Sequence, residues 1–230
     1  MERLVAGPFL LAKESGKLPT GLLTVSGCLA NIVPDCWAIE WANVDKTERL
    51  ARAAEFGIDA DQLPHAIRWA TDHFNGGGFA WPNVFLSAAP ARDFRRRFVT
   101  ATVRLLQISL PEQMLDSFLA LTAPPPQQPG YAPVGSIGVH EALAQRSVLT
   151  ELAERRGFEV LGFDGAAGFD SFRCNSLESD FQRLVGVQFN QWGLIDDVGD
   201  AARCAEFASS PEVSTCAIAW HPWLVTEHPL

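Results

Sequence analysis

The sequence predicts an α+β protein, with mixed or mostly antiparallel sheets and packed helices, divided into two small domains. Three observations carry this. Runs with period-2 alternation and runs with helix-capping signals both occur, yet without the regular β–α–β order of a doubly wound sheet. The 230 residues are 47% apolar and 20% charged, the balance of a globular chain long enough to bury a core. The third is a break at residue 123, where APPPQQPGYAP packs five prolines and a glycine into eleven residues that can neither continue a helix nor join a central strand. This sets the expected division: an N-terminal α+β domain over 1–122, a proline-rich linker or loop over 123–135, and an acidic α+β domain over 136–230.

In the first half, TGLLTVSGCLANIV and CWAIEWANV read as strands separated by Pro34 and Asp35, with Trp37, Ile39 and Trp41 alternating against Glu40 and Ala42. Asp45 and Glu48 form a capping-box pattern that opens a helix, and Gly57 closes it. A helix over about 62–74 follows, capped by Asp61, with Pro64 in its first turn and Gly76 to Gly78 at its end. VRLLQISL reads as a strand and PEQMLDSFLALT as a helix begun by Pro111.

The second half opens with HEALAQRSVLTELAERR, an interrupted helix. FEVLGFDG and GFDSFRCN form a hairpin around Ala166 and Ala167, and Asn175 with Glu178 can box a helix over SLESDFQRLVG. DAARCAEFASS is a short helix. STCAIAWHPWLVTEH is a closing strand that Pro222 restricts to an edge or a bulge.

Charge is unevenly placed. Residues 1–122 carry 12 basic and 13 acidic side chains, residues 123–230 carry 6 and 14, and the formal net charge is −9. Such a field repels polyanions, and Arg95 to Arg97 is too short a basic cluster to reverse it, so nucleic acid is not an expected partner. No apolar run approaches the roughly 18–20 residues of a membrane span. The N-terminus lacks a positively charged signal-peptide start, and Cys28, Cys36, Cys174, Cys204 and Cys216 include no CxxC pair. The expectation is a bacterial-type cytoplasmic protein with reduced thiols.

Four constellations carry candidate chemistry. His65, Trp69, Asp72 and His73 share a predicted helix whose core stripe is Leu63, Ile67, Ala70 and Phe74; His65, Trp69 and Asp72 lie nearly opposite that stripe. Either a second layer covers Trp69, or this face meets a partner or ligand. The spacing departs from a zinc-peptidase HExxH. FNGGGFAWPNVF holds three glycines and Trp81, but without the Lys-Ser/Thr pair of a P-loop it reads as a helix exit or a lid. Cys174 before a helix and His221 on a later strand have the order of a cysteine hydrolase, where a helix dipole lowers the thiol pKa; a buried structural thiol is the plainer reading. Asp164 with Asp170 and Asp196 with Asp197 have no calcium-loop spacing, so no metal site and no cofactor is expected.

The absence of a strong catalytic motif, together with seven tryptophans and an acidic second half, points to binding. The leading expectation is an acidic protein-binding module, an inhibitor or immunity-type protein for a basic partner, with His65, Trp69, Asp72, His73, Trp81, Trp220 and Trp223 as binding residues. The alternative is a small cysteine-dependent hydrolase or transferase using Cys174 and His221.

Overall fold

A computed structural model describes residues 3–14, 16, 18–25, 31–32, 46–75, 79–80, 84–121, 136–147, 153–164, 168–213 and 219–230. The strands are β1 (Leu4–Lys13), β2 (Asn31–Ile32), β3 (Phe79–Ala80), β4 (Val84–Phe85), β5 (Val103–Pro111), β6 (Glu154–Asp164), β7 (Gly168–Ser171) and β8 (Ala219–His228). They form one sheet in the order β3-β4-β1-β5-β8-β6-β7, with β2 also on β1. Every pairing is antiparallel.

The helices are α1 (Lys46–Glu55), α2 (Leu63–Asn75), α3 (Ala88–Phe98), α4 (Glu112–Leu121), α5 (Ser136–Ala144), α6 (Glu178–Asp180) running into a π turn (Phe181–Val185), and α7 (Val198–Ala208). This is an α+β fold. Side-chain alternation sorts them to the two faces of the sheet. Leu10, Leu106, Leu161, Trp223 and Val225 point to a first face, where they pack with Leu115 and Phe118 of α4 and Val139 and Leu143 of α5. Their neighbours point the other way. Leu11 and Leu105 join Phe56, Trp69 and Phe94 of the α1–α3 lobe, while Val160 and Leu224 join Phe181, Cys204 and Ala205 of a second lobe.

The ladder crosses the proline-rich stretch. β5, from the first half, pairs with β8, from the second, at Leu105↔His228 through Ser109↔Leu224. Segments 1–122 and 136–230 therefore both contribute to one sheet and to its first-face core. Residues 123–135 themselves lie outside the described residues.

Several local expectations hold at their chemical cause. Gly57, at φ 71°, ends α1 where a left-handed residue is needed. α2 starts at Leu63 with Pro64 in its first turn, and β6–β7 form the expected hairpin with Asp164 opposite Gly168. Others are corrected. Residues 20–25 take no regular structure; of the first expected strand Asn31–Ile32 is in the sheet, and 33–45 lie outside the described residues. Glu154 to Arg156, expected in a helix, open β6. Asn175 does not cap a helix: its Nδ2 donates to Ser171 O at 3.3 Å, and Leu177 holds the cap position without a side-chain bond.

Pro222 sits on a central strand, not an edge. The fold accommodates it because β5 pairs with β8 no further than Leu224, so at Pro222 one side of β8 needs no donor. β1 was not expected as a strand at all. Its apolar run is interrupted by Gly7 and Pro8, which fall in a bulge between Ala6 and Phe9. There the backbone presses on β5, since a Cβ on Gly7 would lie 2.5 Å from Ile108 O.

Candidate functional site

Three polar features stand out from this scaffold. The first is buried. Glu159 of β6 has no exposed surface and takes hydrogen bonds from Thr24 Oγ1 at 2.6 Å and Val25 N at 2.9 Å. Burial pushes its carboxyl pKa up, against the opposing pull of the Arg173 guanidinium and the hydroxyls of Ser171 and Thr24. Arg173, also buried, donates from Nη1 to Leu23 O at 3.2 Å and from Nη2 to Gly193 O. Its Nε has no hydrogen-bond partner, and Glu178 Oε2 at 3.8 Å is near enough for charge but not for a bond. The pair thus clamps residues 22–25 and the loop at Gly193 onto the sheet. Outside the clamp, a small cleft open to solvent lies between Ala12–Glu14, Gly21–Thr24 and Arg104.

The second feature is a polar seam on the other face. Gln107 and Ser109 share a side of β5 with Leu105, and Thr226 and His228 share a side of β8 with Leu224. They separate the two apolar lobes. Gln107 Nε2 donates to Gly7 O at 3.1 Å, and Gln107 Oε1 lies 2.9 Å from His228 Nε2. The half-buried His228 ring meets Phe9 edge-on at 5.1 Å, and Arg92 of α3 donates from Nε and Nη2 to Pro229 O at 3.2 and 3.0 Å. Burial, helped by the charge of Arg92, lowers the His228 pKa. Glu227 points to the opposite face, where Arg104 and Arg156 bind it.

The third feature is the acidic surface of the lobe built from α6 and α7. Over 178–212 stand Glu178, Asp180, Asp196, Asp197, Asp200, Glu206 and Glu212 against Arg183 and Arg203. Each of those arginines is held by an acid of its own helix, Arg183 by Asp180 and Arg203 by Asp200, at 2.9 Å. Asp197 Oδ1 caps α7 by accepting from Asp200 N, and Asp196 Oδ1 accepts from Asn190 Nδ2. Among the described residues, Asp196, Asp197, Glu206 and Glu212 have no ion pair. Leu184, 58% exposed, lies on the π turn of the same lobe.

The expected binding tryptophans are placed differently. Trp69 is buried beneath α3, its Nε1 donating to Asp93 Oδ2 at 2.9 Å and its ring edge-on to Phe94 at 4.9 Å. The second-layer reading of that helix is the one the structure shows. His73 stacks on Trp69 at 3.7 Å, and its Nδ1–H donates to Trp69 O; His65 and Asp72 are exposed. Trp220 and Trp223 are buried on opposite faces of β8, in different cores. These three rings form no common surface. Trp81 lies outside the described residues.

Cys174 and His221 are not neighbours in the sheet. His221 and Ser171 flank Leu161 on either side, which puts them two strand spacings, about 10 Å, apart, and Cys174 lies three residues beyond Ser171 in a turn. His221 faces Phe118, edge-on at 5.5 Å, and burial holds its pKa at about 4. Such an imidazole is a weak base at neutral pH. Among the described residues, no group of three His, Cys, Asp or Glu is gathered to hold a metal ion. No helix there is long and apolar enough to cross a membrane.

Glu159, Arg173, Gln107 and His228 were not singled out by sequence reasoning. A lone Glu inside the apolar run FEVLGF was the one available signal for the clamp. Gln107 and His228 lie 121 residues apart, and no local pattern joins them. The chain matches no protein-family model, no curated protein and no solved structure.

Proposed function

We propose that the chain is a protein-binding module whose acidic lobe receives a basic partner, in the manner of an inhibitor or immunity-type protein. One observation carries the reading. Four carboxylates of that lobe, those of Asp196, Asp197, Glu206 and Glu212, have no ion pair among the described residues, while both of its arginines are consumed within their helices. Uncompensated charge on a folded surface speeds encounter with positive surfaces. Leu184, exposed beside it, supplies an apolar contact that the buried tryptophans do not.

The test compares the native chain with a variant carrying Asp196→Lys, Glu206→Lys and Glu212→Lys. Each is used to capture partners from a native lysate at about 0.05 and 0.5 M salt, between which the Debye length falls from roughly 14 to 4 Å. Support is a basic partner that is lost at high salt, lost with the variant, and protects 178–212 from hydrogen exchange. A partner held equally by the variant, or one that protects another surface, overturns the reading.

A further inference from the structure

Charge is sorted between the two lobes that flank the seam. α3 carries Arg92, Arg95, Arg96 and Arg97 against one acid, Asp93. Its Ala91, Phe94 and Phe98 turn into the core, which leaves all four arginines exposed. Arg96 and Arg97 share Asp93, Arg92 bonds to the uncharged carbonyl of Pro229, and Arg95 has no ion pair among the described residues. The acidic lobe has the opposite imbalance, seven acids against two arginines over 178–212. Among the described residues no ion pair joins the two lobes, so neither patch neutralises the other within the chain. Each patch also holds an exposed apolar side chain: Leu184 in the acidic one, and Leu230, 49% exposed, after Pro229 at the Arg92 end of the basic one.

Both patches lie on one side of one sheet. α3 packs with Leu11 of β1 and Leu105 of β5, α7 packs with Val160 of β6 and Leu224 of β8, and the Gln107–His228 seam runs between them. A half-turn about an axis along the seam, in the plane of that face, exchanges its two sides and turns it over. The operation lays the basic patch of one copy on the acidic patch of another and, at the same time, the acidic patch on the basic one. A foreign basic protein would cover one patch; a second copy covers both. Such an isologous contact closes as a dimer. At about 0.15 M salt the Debye length is about 8 Å, so the facing patches, and not the net charge of −9, decide the contact.

We propose that a second copy of the chain docks face to face across the seam, α3 of each copy on the acidic lobe of the other. The dimer rests on the reading of that lobe as a receptor for positive surfaces, and a basic partner has to displace it. The experiment is sedimentation equilibrium on the purified full chain with no other protein present. It is repeated on Asp196→Lys/Glu206→Lys/Glu212→Lys, on Arg92→Glu/Arg95→Glu, and on the two variants mixed. Each variant alone brings like charges together at both contacts and should raise the dissociation constant about tenfold or more. The equal mixture has opposite charges at both contacts and should regain a dimer holding one of each. Hydrogen exchange on the native chain, which needs no variant, should show protection of both 88–98 and 178–212 that grows with concentration. Arg92→Glu/Arg95→Glu should leave lysate capture by the acidic lobe intact, so loss of the dimer and loss of the partner are separate results. A native chain that stays monomeric at about 0.1 mM, or assemblies larger than a dimer, would overturn the proposal. So would either variant associating as tightly as the native chain, a mixture that stays monomeric, or protection of one patch alone.

Discussion

Thr24 and Glu159, 135 residues apart in the chain, meet at 2.6 Å in a bond that ends on a carboxylate with no exposed surface. Thr24 belongs to a segment without regular structure, so its position comes from this bond, from Val25 N on the same carboxylate and from Leu23 N on Trp192 O. The cleft beside Gly21–Thr24 owes its inner wall to a buried carboxyl group.

Removing one member of that clamp should cost more than removing both. Glu159→Ala leaves Thr24 Oγ1 and Val25 N without their buried acceptor and Arg173 with only Glu178 at 3.8 Å, a loss of about 1–3 kcal/mol, whereas Glu159→Leu with Arg173→Met should restore part of it. Urea unfolding of the three proteins measures the difference. Equal losses in the single and double variants would show that coupling between Glu159 and Arg173 is not what holds the segment.

His221 should make the fold acid-sensitive. Its pKa is about 4 in the folded chain against 6.5 when free, so between those values the unfolded chain binds the extra proton. Stability from this group is complete above pH 6.5 and is lost as pH falls towards 4, by up to about 3 kcal/mol. His221→Phe should flatten that part of the pH profile and also remove the unpartnered buried Nδ1. Parallel pH profiles for the two proteins would place the acid sensitivity elsewhere.

The elements legible in the sequence were those whose signal is local. Gly57 announced the end of α1, Pro111 the start of α4, and the runs FEVLGFDG and GFDSFRCN the two arms of a hairpin. β1 was not legible because Gly7 and Pro8 look like a break in one dimension; only β5 lying against it turns the break into a bulge. Trp69 could not be placed from its own helix, since the layer that buries it is α3, some twenty residues later. The same holds for the seam and the clamp, whose partners are joined by sheet order and by no spacing.

Gly7→Ala should test how tightly that bulge is drawn onto β5. A methyl 2.5 Å from Ile108 O cannot fit without moving backbone, and Leu143 of α5 stands 3.6 Å away on the same side. Overpacking of this kind costs about 1–3 kcal/mol. The variant should also loosen the Gln107–Gly7 bond, so its His228 resonance should change along with its melting temperature. A change in neither would mean the close approach is relieved at no cost.

Cutting the chain within 123–135 should not separate its halves. A protease site inserted there leaves intact the β5–β8 ladder from Leu105↔His228 to Ser109↔Leu224 and the first-face core, in which Leu106, Leu115 and Phe118 pack with Leu161, Phe163 and Trp223. Phe118 alone meets Phe163, His221 and Trp223 edge-on at 5.3 to 5.5 Å. Exposing those rings to water on separated fragments is unfavourable by roughly 25 cal/mol per Å², so the nicked halves should co-elute on size exclusion and unfold together. Loss of the covalent connection should then lower stability and make it concentration-dependent, since association of the two pieces replaces closure of a loop. Halves that elute apart, each folded and unfolding at its own midpoint, would establish two domains and show that the β5–β8 pairing is not what holds them.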